Sequence, residues 1–174
     1  MFLLPKKITK LKITDDSGFL AIANADQYQS FVDEDWQLTQ LIKHFVEQMN
    51  KENLIIWATG TPGEWTVSFS DKASNKKAFR AFTKSVHVTN RQLHLTNYED
   101  LTMAAQFTDN KVPAEENAAL KIKLDNGQYH FTIRQLFDPE DYDYDPEGKI
   151  NFEIIIQVDN TSTRIIDHIF WQTT

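Results

Sequence analysis

The sequence predicts a mainly β protein: an antiparallel β-sandwich with one amphipathic α-helix over about Asp33 to Asn50. Two observations carry this. Short segments of period-two alternation recur along the chain between clusters of turn residues, the clearest from Ala118 to Asp138. There Leu120, Ile122 and Leu124 alternate with Lys121 and Lys123, and Tyr129, Phe131 and Ile133 with His130, Thr132 and Arg134. One stretch alone has a strong helical spacing: Leu38, Leu41, Ile42, Phe45, Val46 and Met49 recur every three or four residues.

The elements follow in order. Ile8 to Ile13 is expected as a first strand, Asp15-Asp16-Ser17-Gly18 as a turn and Phe19 to Asn24 as a second strand. Asp33-Glu34-Asp35 is expected to open the helix, since acids suit the positive helix N-terminus. Leu54 to Ala58 is a continuous apolar run, expected of a strand buried on both faces. Gly60-Thr61-Pro62-Gly63 then reads as the turn of a hairpin closed by Trp65, Val67 and Phe69. Phe79 to Val88 and Leu93 to Leu95 form a second expected hairpin about Asn90-Arg91, with Val88 opposite Leu93 and His87 opposite His94. Leu101 to Phe107 reads as strand in spite of a cap-like Asn97-Tyr98-Glu99-Asp100. Leu120–Leu124 and Tyr129–Ile133 make a third expected hairpin, because Asn126-Gly127 supplies the positive φ of a tight turn. Asn151 to Val158 returns as a strand, and the spacing of Ile165, Ile166, Ile169 and Phe170 suits a short helix within Thr163 to Trp171.

A chain of 174 residues, 41% hydrophobic and 25% charged, is expected to form a single sandwich domain over 1–174. A net charge of −7 disfavours nucleic acid and anionic membranes as partners and favours a basic protein. Without cysteine there is neither a disulfide framework nor a thiolate metal site. Phe2 to Leu4 is too short for a signal segment and its lysines follow rather than precede it, so a cytoplasmic location is expected.

The order of these signals resembles the competence protein J family, inhibitors of a bacterial DNA-entry nuclease. The matching pieces are Asp35-Trp36 at the helix start, Ser68-Phe69, the Val86-x-Val88 and Leu93-x-Leu95 pair, and Leu124-x-Asn126-Gly127-x-Tyr129-x-Phe131. The resemblance covers Phe19 to Phe137, and this chain departs from it by a longer segment from Thr102 to Ala119 and by an acidic loop. It implies an inhibitor or immunity-type sandwich that binds a nuclease or toxin, with no catalytic residues to carry over.

That acidic loop, Asp138 to Gly148, is the candidate partner-binding site. Its acids are Asp138, Glu140, Asp141, Asp143, Asp145 and Glu147, interleaved with Tyr142 and Tyr144. Acids could fill a surface built to hold phosphates, and tyrosines supply contact area. Two other readings stand beside it. Charge runs are often simply solvated. Asp141-x-Asp143-x-Asp145 also has the alternate carboxylates of a calcium loop, but Pro146 stands where the turn glycine belongs and Phe152 where the twelfth-position ligand belongs. His87, His94 and His130 read as residues of a wet sheet face, too few for a zinc site without further ligands. No catalytic motif, phosphate loop or dinucleotide fingerprint is present, and no cofactor is expected.

Overall fold

Among the described residues nine strands form, and alternation explains most of their limits. A computed structural model describes residues 8–173; the N-terminal segment read above as no signal lies largely outside them. The strands are β1 (Thr9–Asp15), β2 (Phe19–Ala23), β3 (Leu54–Ala58), β4 (Gly63–Ser70), β5 (Arg80–Val88), β6 (Gln92–Asn97), β7 (Lys121–Lys123), β8 (Gly127–Gln135) and β9 (Phe152–Val158). They build a five-stranded sheet in the order β1-β4-β9-β8-β5 and a four-stranded sheet in the order β3-β2-β6-β7. All pairings are antiparallel except β4 with β9. The expected antiparallel β-sandwich is what forms, with one parallel pair at its centre.

The inner faces supply the main core. Trp57 meets Phe152 at 6.0 Å between ring centroids, and Trp65 meets Phe137 at 4.8 Å, while Tyr129, Phe131 and Ile133 line the same layer. The four-stranded sheet is also covered on its other face. Helix α1 (Leu38–Asn50) lays Leu41, Phe45 and Met49 against Ala21, Ala23, Leu54 and Ile56. Each of those three helix side chains is fully buried, stabilising the fold by about 1.5–3 kcal/mol. Burial on both faces accounts for the unbroken apolar run of β3.

Several expectations are corrected. Helix α1 starts at Leu38, not Asp33. Asp33 folds into its own turn, its Oδ1 accepting from the Asp35 amide at 2.9 Å, and the amides of Val32 and Asp33 donate to the Ala105 carbonyl. The helix is closed at its start by Gln40, whose Oε1 accepts from the Gln37 amide. Tyr98–Gln106 is a helix, α2, rather than a strand; the Asn97 side chain caps it by accepting from the Asp100 amide. The tail from Thr163 to Trp171 is not helical. The Asn50 side chain takes both the amide and the carbonyl of Ile166, and Phe170 makes a parallel bridge to Trp57.

The largest correction concerns the three tight hairpins, none of which exists. β3 and β4, β5 and β6, and β7 and β8 each lie in opposite sheets. The turns carry the chain across the sandwich as arches. At the third, the Asn126 side chain accepts from the Arg91 amide at 2.7 Å, joining the arch after β7 to the one after β5. His87 therefore pairs with Gln128 and His94 with Lys121 and Ala23, on different sheets.

Burial lowers the pKa of His44 and of His94, in the latter case with help from Lys121. A depressed histidine contributes stability that is complete above its unfolded value of 6.5 and is lost as pH falls toward the folded value. Melting curves are expected to move to lower temperature between pH 7 and pH 5. His94→Gln should flatten that slope; an unchanged slope would remove His94 from the account.

Candidate functional site

The acidic loop leaves β8 at Gln135 and enters β9 at Phe152, so it spans neighbouring antiparallel strands. Its base is built into the core. The ring of Tyr144 stacks on Phe137 with centroids 4.6 Å apart and planes 5° from parallel. Asn151 donates to the Tyr144 hydroxyl at 2.7 Å while its own side-chain oxygen accepts from the Thr66 amide. Burial raises the Tyr144 pKa, and the Lys149 ammonium lies 4.8 Å over its ring. Tyr144 thus anchors the loop base while staying partly exposed.

The rest of the loop is ordered from within. Asp138, Asp141 and Asp145 each accept from the amide two residues on, as aspartates do in turns. Backbone bonds run from Asp141 to Asp138 and from Tyr144 to Asp141. Asp138, Glu140, Asp141, Asp143, Asp145 and Glu147 are all exposed, and among the described residues none is in an ion pair. Tyr142 stands 97% exposed among them. Among the described residues no three His, Cys, Asp or Glu side chains converge so as to hold a metal ion.

The histidines do not gather. His94 is buried, whereas His87 and His130 sit on the outer face of the five-stranded sheet. His87 Nε2 lies 3.0 Å from Glu52 Oε2, and His130 Nδ1 lies 3.5 Å from Asp159. Glu52 also accepts from Ser85 and Gln128, so this polar cluster closes the outer edge of β5.

No family model and no curated protein matches this chain. Among solved structures, the protein of crocagin biosynthetic gene J aligns with a TM-score of 0.57 at 10% identity, over 88% of this chain and 97% of that one. The chain shares that fold. ComJ from Bacillus subtilis, the inhibitor of the DNA degrading activity of NucA, aligns with a TM-score of 0.46 at 14% identity, over 85% of this chain and 92% of that one.

The structure adds a neighbour that sequence reasoning missed. Asp138, Pro139 and Glu140 line a cavity of about 510 Å³ together with Gly60, Arg80 and Trp171. Gly60, read above as a plain turn residue, holds φ at +89°, and a Cβ placed on it would stand 2.6 Å from Pro139. Arg80 opens an ordinary strand and Trp171 lies in the tail; only the tertiary fold brings them beside the loop.

Proposed function

We propose that this protein is a non-enzymatic inhibitor or immunity-type binding protein that caps a basic partner through its acidic loop. The observation carrying this is a loop of six exposed carboxylates, none in an ion pair among the described residues, on a base stacked into the core by a tyrosine. A preformed loop loses little entropy on docking, and its clustered charge speeds encounter with a basic surface. The partner class, a nuclease or a toxin, follows from the sequence resemblance. The reading takes the chain as one domain acting in the cytoplasm; among the described residues no helix is long and apolar enough to cross a membrane.

The partner is first captured by pull-down from the source organism. Changing Asp141, Asp143 and Asp145 together to Asn should then slow association about tenfold at low salt, and less as salt screens the field. Tyr142→Ala should speed dissociation by about tenfold or more while leaving the melting temperature within a degree or two. Unchanged rates in both variants would move the site to the outer face bearing His87 and His130. The other reading, a sandwich binding calcium or a small ligand, requires a rise in melting temperature with excess calcium that chelator reverses; no rise is expected.

A further inference from the structure

The cavity beside the acidic loop contains a cation of unusual setting. The Arg80 guanidinium is half-buried, and its Nε donates to Gln135 Oε1 at 2.5 Å and its Nη2 to the Ala58 carbonyl at 3.3 Å. Both acceptors are neutral. Among the described residues Arg80 forms no ion pair, whereas Arg91 and Arg134 each have a carboxylate partner. Its carbon lies 4.4 Å from the Trp171 ring centroid and 5.7 Å from that of Phe79. Burial lowers its pKa, while the charge of Asp138 acts in the opposite direction. A guanidinium placed over an aromatic ring, with two donors already fixed by neutral groups, is preorganised for a planar two-oxygen anion.

The rim selects among anions. Asp138 and Glu140 stand at the same cavity, so a lone carboxylate is repelled there. A carboxylate flanked by Lys or Arg is not, because those cations meet the rim while the carboxylate meets Arg80. The cavity, a cation beside an acidic rim, is the charge inverse of a basic protein surface with an acid set in it.

We propose that this cavity receives an Asp or Glu side chain of the basic partner, which pairs with Arg80 while neighbouring cations of the same partner pair with Asp138 and Glu140. The proposal rests on the reading of the loop as a partner surface and names what that surface recognises beyond net charge. The cavity is continuous with the loop through Asp138, Pro139 and Glu140, so one partner reaches both.

The test uses two blocked peptides, acetyl-Lys-Glu-Lys-amide and acetyl-Lys-Gln-Lys-amide, titrated into the ¹⁵N-labelled full chain. The Arg80 Nε–H and the Trp171 indole N–H are the reporters. The Glu peptide is expected to shift both, with a Kd of about 1 mM and at least about tenfold tighter than the Gln peptide. Arg80→Gln should abolish that preference and Arg80→Lys should keep part of it. Equal binding of the two peptides, or a Glu preference that survives in Arg80→Gln, overturns the proposal. If Arg80→Gln does not fold, the wild-type peptide pair and Arg80→Lys still decide the question. Acetate and inorganic phosphate are titrated as sources of bare anion, and phosphate shifting the reporters at lower concentration than acetate overturns the assignment to carboxylate. The Asp141, Asp143 and Asp145 triple variant separates the two ideas: with the loop reading wrong, captured partners ignore it, while the Glu preference of the cavity is measured independently.

Discussion

Replacing Asp15 with alanine lowers the stability of the fold by about 3–5 kcal/mol. This carboxylate is 1% exposed at the end of β1. Its Oδ1 accepts from the amides of Ser17, Gly18 and Phe19, the second at 2.6 Å. Its Oδ2 accepts from the Thr59 hydroxyl at 2.7 Å and from the Trp65 indole at 3.1 Å. One side chain therefore binds the arch from β1 to β2, the arch from β3 to β4 and a core tryptophan. Removing it leaves several of those donors unpaired away from water, which is the costly half of a lost hydrogen bond. Asp15→Asn should cost roughly half as much, since Oδ1 can persist while an amide group cannot accept from the Trp65 indole. Urea unfolding of the three proteins checks this; a loss below about 1 kcal/mol for the alanine variant would mean that the arches are held by other contacts.

The second large effect is expected at Gly60→Val, at about 2–4 kcal/mol. Two costs combine. A β-branched residue is strained at φ +89°, and its Cβ meets Pro139 Cβ and Cγ at 2.6 Å. Pro139 belongs to the acidic loop, so the clash moves the loop base as well as the arch. Pro139→Ala removes Cγ and should return part of the loss, leaving the backbone strain. Additive costs in the double variant would place the whole effect in φ. Partner association measured on the same variants links the position of the loop to its proposed use.

The sequence shows where strands lie better than it shows which strands meet. Alternation at Leu120–Leu124 and at Tyr129–Ile133 survives as β7 and β8, yet the chain passes between sheets at Asp125-Asn126-Gly127. A turn residue that allows positive φ serves an arch as well as a hairpin, and an inward face alternates identically in either sheet. The same ambiguity affects Gly60–Gly63 and Asn90-Arg91. At α2 the local signal, Asn97 as a cap, is correct, and the apolar spacing of Leu101, Ala104 and Ala105 is the face it buries. At α1 the acids of Asp33 and Asp35 mimic a cap but belong to a turn tied to Ala105. The candidate loop was legible because its composition is local. Its anchor was not, because the stacking of Tyr144 on Phe137 depends on where β8 ends. Arg80 and Trp171 became neighbours of the loop only through the pairing of Arg80 with Gln135 and the bridge of Phe170 to Trp57.

The arches also govern how quickly this chain finds its shape. Where consecutive strands do pair, as β2 with β3, β6 with β7 and β8 with β9, a helix or a long loop separates them. The remaining pairings, such as β1 with β4 and β5 with β8, join segments still farther apart along the chain. Among the described residues no tight hairpin is available to form early and template the rest, so loop-closure entropy must be met before any ladder returns free energy. Refolding is expected on the millisecond-to-second scale rather than in microseconds, through collapsed species whose sheet edges are still open to one another.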